Sequence, residues 1–163
     1  MNRTMNWRRL LNETKLINES KETDSDMYCI QKFDRTIYNW KAVIYGPEKS
    51  LYDGYSFELD ILLPQNYPEK PPIVKFYTPI LHVNVNNEGD ICLDILKNEW
   101  KSSLNICVIL KSIVSLLADP NPEDPFNPEL ASLYKLDYKQ YVENINQHCI
   151  KYAKLKNLRN LSD

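Results

Sequence analysis

Three runs rich in Tyr, Ile, Val, Trp and Phe follow one another closely: Met27 to Phe33, Ile37 to Tyr45 and Leu51 to Leu63. Their separators, Asp34-Arg35-Thr36 and Gly46-Pro47-Glu48-Lys49-Ser50, carry turn residues, so short antiparallel connections fit them best. A meander of hairpins results. The next stretch, Pro64 to Pro72 (PQNYPEKPP), lacks backbone donors at its prolines and must be an irregular loop. Ile73 to Tyr77 then resumes as a fourth strand.

Helical patterning brackets this sheet. Trp7, Leu10, Leu11, Thr14 and Ile17 fall at helical spacing, with Arg8, Arg9, Asn12 and Lys15 on the other side, which predicts an amphipathic N-terminal helix. Glu19 to Asp26 is a polar loop. Beyond Trp100, Asn105 caps a helix whose positions Ile106, Ile109, Leu110, Ile113, Val114 and Leu117 form one broad apolar face, and the helix stops at Asp119-Pro120. A second proline-rich loop, Asp119 to Pro128 (DPNPEDPFNP), ends in an Asn127 cap with Pro128 at the first helical position of a short helix to about Leu136. Asp137 caps a last helix with the stripe Tyr138, Tyr141, Val142, Ile145, Cys149 and Tyr152. The expected plan is α+β: an N-terminal helix, a four-stranded antiparallel meander, a cysteine-bearing loop and three helices. With 163 residues, 43% of them hydrophobic, one domain over 1–153 is expected, followed by a polar tail over 154–163 that frays.

Composition narrows the function classes. A net charge of -2 and a pI near 5.8 argue against a nucleic-acid surface, which needs clustered Lys and Arg. No run approaches the roughly 20 apolar residues of a membrane span, and MNRTMNWRRL has no apolar stretch of signal-peptide length. A cytoplasmic or nuclear protein is expected. Cys29, Cys92, Cys107 and Cys149 include no CxxC pair, and the imidazoles are His82 and His148, which is weak for a metal site. Cys29, Cys107 and Cys149 read as small buried apolar side chains. Cys92 stands apart because its surroundings are polar and turn-rich.

Cys92 lies in the long non-helical connection Tyr77 to Trp100, YTPILHVNVNNEGDICLDILKNEW. A thiol there is a nucleophile, a redox centre or inert. Redox use wants a resolving cysteine, and the sequence neighbours Glu88, Asp90 and Asp94 disfavour a thiolate. Protease-type activation wants a His beside the sulfur. His82 is the candidate, although it reads more readily as a hydrogen-bonded anchor of the turn. A third use needs less activation: thiol exchange with an already activated thioester. When an amine then attacks, charge develops on the carbonyl oxygen; Asn84 can donate to it, and loss of such a donor typically costs ~2.7–4 kcal/mol. Asp124, in Pro-Glu-Asp-Pro, can orient the amine and help it shed its proton.

These residues carry a resemblance. Tyr67-Pro68 with Pro71-Pro72, His82-x-Asn84, Gly89-x-Ile91-Cys92-Leu93, Trp100 and Asp119-Pro120-Asn121-Pro122, in this order and spacing, resemble the ubiquitin-conjugating enzymes from the N-terminal helix to about Ala153. The resemblance implies that Cys92 accepts ubiquitin or a ubiquitin-like modifier from an activating enzyme as a thioester. It then passes the modifier to a lysine of a protein substrate or to a ubiquitin ligase, with no metal and no organic cofactor. Matched residue by residue, Asn84 takes the family's oxyanion-stabilising position and Asp124 its acidic gate, with His82 and Asp94 in support. Three positions depart from the pattern. His82-Val83-Asn84 replaces the usual His-Pro-Asn, losing proline's fixed φ. Glu69 and Lys101-Ser102-Ser103 replace an aromatic and Ser-Pro-Ala on the ligase-facing surface, which leaves the ligase class open. Lys111 stands where several members place Leu against the donor modifier, which suggests weaker or differently oriented closure.

Overall fold

The computed structural model describes residues 3–33 and 37–156. The separator Asp34-Arg35-Thr36 and the tail past residue 156 lie outside the described residues. Helix α1 (Arg3–Ser20) leads into strands β1 (Tyr28–Phe33), β2 (Asn39–Tyr45), β3 (Tyr55–Leu62) and β4 (Ile73–Phe76), and helices α2 (Ile106–Ala118), α3 (Pro128–Leu136) and α4 (Tyr138–Tyr152) follow. The strands form an antiparallel sheet in the order β1-β2-β3-β4, as a meander requires.

Alternation along the strands makes the core. Trp40, Ala42 and Ile44 of β2, Phe57, Leu59 and Ile61 of β3, and Val74 and Phe76 of β4 all face inward and are buried. Helix α2 packs against β2 and supplies seven buried residues, Ile106, Cys107, Ile109, Leu110, Ile113, Val114 and Leu117. Each fully buried aliphatic or aromatic side chain contributes about 1.5–3 kcal/mol. The expected caps form: Asn105 accepts from Val108 N–H, Asn127 from Leu130 N–H and Asp137 from Gln140 N–H.

The structure corrects three expectations. Cys29 is exposed, because the period-two alternation of β1 turns Tyr28 inward and sends its neighbour outward. The tail does not fray at Lys154. Lys154 and Leu155 form a fifth strand, β5 (Lys154–Leu155), paired with Ser56 and Tyr55, and Lys156 N–H donates to Gly54 O at 2.8 Å. Strand β4 pairs with β3 only over Leu59–Leu62, so β3 keeps an open edge at its start, and an open edge recruits whatever chain is near. The third correction concerns the inward stripe of α1. Leu10 and Ile17 are buried, but Trp7 and Leu11 are each 52% exposed, and Glu13 is 0% exposed.

Glu13 is inward because every part of its carboxylate is used. Arg9 pairs with it at 2.8 Å, the Tyr67 hydroxyl donates to Oε1, and Ile106 N–H donates to Oε2 at 3.1 Å. Arg9 also donates to the carbonyls of Ser102 and Leu104. Trp100 Nε1–H and the Ser102 hydroxyl donate to Pro68 O, at 2.9 and 3.0 Å. One buried ion pair thus joins α1, the first proline loop and the start of α2. Removing one partner of such a pair strands the other, at a cost of about 3–5 kcal/mol. Glu13→Ala is therefore expected to lower the unfolding free energy in urea by about 3 kcal/mol, with Glu13→Gln losing less; a loss below about 0.5 kcal/mol for Glu13→Ala would contradict this assignment.

Candidate active site

The loop after β4 is folded back on itself. Val85 and Ile91 form an isolated antiparallel bridge, and Asp90 bridges to Lys75 of β4, reinforced by a 2.9 Å ion pair. Asn86 Oδ1 accepts the N–H groups of Glu88 and Asp90, closing the tip. Gly89 has φ +84, and a Cβ there would lie 2.3 Å from Phe76 O, so both backbone conformation and space call for glycine. The loop is a small hairpin seated on β4. Cys92 follows directly, with its N–H donating to Asn84 O at 2.8 Å.

His82 and Asn84 are both buried, at 1% exposure each. Asn84 N–H donates to His82 Nδ1 at 2.9 Å, so the other ring nitrogen carries the proton and donates to Leu116 O of α2 at 3.0 Å. Both imidazole nitrogens are committed. Burial drives the His82 pKa from 6.5 down to about 4, partly offset by the bond to Leu116. The ring is a neutral anchor between loop and helix, with no free nitrogen for the thiol.

Asn84 spends its amide on the second proline loop. Nδ2 donates to Asn121 O at 2.8 Å and to Asp124 O at 3.1 Å, while Oδ1 accepts Asn121 N–H at 2.8 Å. The carbonyl of fully buried Val83 accepts from Phe126 and Asn127 N–H, at 2.9 and 3.0 Å. This tethering brings Asp124 to the cysteine: its Oδ2 lies 3.5 Å from Cys92 Sγ, near enough to accept the thiol proton.

Lys97, which sequence reasoning passed over, is a second neighbour of the sulfur. Asp94 opens a 3-10 turn (Asp94–Leu96) and its carbonyl accepts Lys97 N–H at 2.9 Å, reversing the chain. Lys97 Nζ then lies 3.8 Å from Cys92 Sγ and 4.4 Å from the centre of the Phe126 ring. The signal was a cation five residues past the cysteine across a tight turn. The thiol pKa is raised, first by partial burial and then by Asp124, and Lys97 opposes the rise. The acid acting on the sulfur is Asp124, from a distant loop, rather than the sequence neighbours Glu88, Asp90 and Asp94. Asp94 is exposed, and its backbone builds the turn. An open groove lined by Pro71, Ile73, Ile91, Leu96, Lys97 and Phe126 runs alongside. Farther off, Lys111 is not a free charge, since it pairs with Asp24 at 2.9 Å.

The family model for ubiquitin-conjugating enzymes matches residues 9–149. The chain belongs to the ubiquitin-conjugating enzyme family. An Acanthamoeba polyphaga mimivirus protein named "Probable ubiquitin-conjugating enzyme" is 52% identical to it over 151 residues, covering 92% of this chain and 96% of that protein. Among solved structures, the ubiquitin-conjugating domain of a Toxoplasma gondii enzyme superposes with a TM-score of 0.81 at 36% identity, covering 91% of this chain and 99% of that one. The match extends the likeness from motif residues to the arrangement of helices and sheet.

The state of His82 gives a pH signature. The unfolded chain takes up a proton near pH 6.5, whereas the folded chain resists it down to about 4, so protons favour unfolding in that window. Stability from this group is complete above pH 6.5 and falls by roughly 3 kcal/mol by pH 4. Urea titrations at pH 7 and pH 5 are expected to give a smaller pH dependence in His82→Gln than in the wild type. Equal slopes in the two proteins would contradict the buried neutral imidazole.

Proposed function

We propose that the chain is an acyl carrier: it accepts ubiquitin or a ubiquitin-like modifier from an activating enzyme as a thioester on Cys92. It then passes the modifier to a substrate lysine or to the cysteine of a ligase. The observation that carries this reading is the company the thiol keeps. Cys92 lies beside an open groove with Asp124 at 3.5 Å and no histidine, since both nitrogens of His82 are engaged elsewhere. A cysteine hydrolase needs an imidazole to make the thiolate and to protonate the leaving amine. A carrier needs neither, because its acyl group arrives activated.

In the loading step the Cys92 thiolate attacks the carbonyl carbon of the incoming thioester, and the donor's sulfur leaves as a thiolate. In discharge the lysine amine attacks the Cys92 thioester, an oxyanion forms on the carbonyl, and Cys92 leaves. Asp124, next to the sulfur, is placed to orient the amine and take its proton. Both Asn84 amide hydrogens are engaged by main-chain carbonyls, so donation to the oxyanion requires one of these bonds to open on loading. Its first role in this reading is to hold Asp124 in place. The cytoplasmic or nuclear setting belongs to the same proposal.

Incubation with activating enzyme, ATP and ubiquitin, followed by a non-reducing gel, tests the reading. A thiol-sensitive adduct absent from Cys92→Ala is expected, as is a hydroxide-sensitive one in Cys92→Ser. Asp124→Asn is expected to load and then to release modifier to free lysine on the order of 10²-fold more slowly. No adduct with any modifier would leave a non-catalytic binding module of the same fold with Cys92 idle.

A further inference from the structure

Most exposed lysines are solvated and do nothing specific, but Lys97 is restrained on three sides. The carbonyl of Asp94 holds its N–H, the Phe126 ring lies under its ammonium at 4.4 Å, and Cys92 Sγ is 3.8 Å from Nζ. A cation over an aromatic face is attracted by the ring quadrupole, which favours one placement of an otherwise mobile side chain. Phe126 is itself fixed, because its N–H donates to Val83 O at 2.9 Å. The same tether that positions Asp124 therefore also builds the platform for Lys97.

The sulfur sits between two opposite charges. Asp124 approaches from the second proline loop at 3.5 Å and Lys97 from the end of the 3-10 turn at 3.8 Å. Of the other ionisable groups on these segments, Asp90 is taken up by Lys75, Asp94 is exposed at the head of the turn, and Glu123 pairs with Lys135 of α3. A carboxylate beside a thiol stabilises the protonated form, and an ammonium stabilises the thiolate. A carboxylate suits discharge, in which an amine must lose a proton. It hinders loading, in which the thiol must lose its own.

We propose that Lys97 is a catalytic residue of the loading half-reaction, its ammonium stabilising the Cys92 thiolate against the carboxylate of Asp124. The inference rests on the carrier reading for its meaning, but not for its first test. In loading, the Cys92 proton is lost to solvent. The thiolate, with Lys97 donating to it, then forms the new carbon–sulfur bond as the donor's carbon–sulfur bond breaks. Once the sulfur is acylated it bears no charge, and the ammonium has nothing left to stabilise there. The charge effect is absent from the resting thioester and returns only as Cys92 departs as a thiolate in discharge.

Alkylation of the thiol by iodoacetamide across pH reads the thiolate directly, in a Cys29→Ser background because Cys29 is exposed while Cys92 is half-buried. The midpoint of the profile is expected to move to higher pH in Lys97→Met, to return in Lys97→Arg, and to move to lower pH in Asp124→Asn. Added salt shrinks the difference between wild type and Lys97→Met, since the pair is open to solvent. Loading from the activating enzyme at pH 7 is expected to slow 3- to 10-fold in Lys97→Met, and the deficit closes only as the pH passes the alkylation midpoints of both proteins, which lie above the ordinary thiol range. An alkylation midpoint unmoved in Lys97→Met, or one that Lys97→Arg fails to restore, would overturn the assignment. Loading of Lys97→Met at the wild-type rate at pH 7 would overturn it too. If wild-type protein takes up no modifier while the midpoints still shift as stated, the carrier reading fails and the ion pairing of Cys92 with Lys97 stands.

Discussion

The candidate site depends on one buried amide. Asn84 is 1% exposed, and its side chain makes three hydrogen bonds to the main chain of Asn121 and Asp124, while its own carbonyl accepts the N–H of Cys92. Thiol and carboxylate come from segments about thirty residues apart, and Asn84 touches both. A buried amide of this kind is specific because each lost bond leaves a main-chain group unpaired, at about 1–3 kcal/mol. His82 extends the same chain of contacts to α2 through Leu116. The thiol is thus fixed relative to the most buried helix without any direct bond to it.

A second network does the equivalent work around α1. Arg9, Glu13 and Tyr67 join α1 to the loops that carry Glu69 and Lys101-Ser102-Ser103, the residues in which this chain departs from its family's usual ligase-facing pattern. Those side chains are exposed, the Ser102 hydroxyl bonding back to Pro68 O, and the backbone beneath them is held by a buried ion pair. In the sheet, the open edge at the start of β3 is covered by β5.

Much of this was legible in the sequence, for physical reasons that also explain the gaps. Period-two runs with short separators fixed the meander, and Asn105, Asn127 and Asp137 marked helix starts through chemistry local to each cap. Cys92, Asn84 and Asp124 were picked out by residue type, and the fold brings them together. Glu13 was not legible: a carboxylate at an inward helical position reads as a surface residue until its three partners, up to 93 residues away, are known. Cys29 was misplaced because a small residue gives no clue to which face of a strand it takes. Lys97 was overlooked because its position follows from a 3-10 turn and from Phe126, and neither is a property of the residue. β5 depends on an open edge far away in the sequence. Local chemistry was readable, and long-range satisfaction was not.

The central claim is that Asn84 acts chiefly by holding the loop of Asp124, and a double-mutant cycle tests it most directly. Discharge of the loaded modifier to free lysine is measured for Asn84→Ala, Asp124→Ala and the double variant, each counted per loaded molecule. If Asn84 works through Asp124, the double variant discharges within about threefold of the slower single variant. If the two losses instead multiply, Asn84 stabilises the transition state on its own, and the account of the site as one tethered unit is wrong.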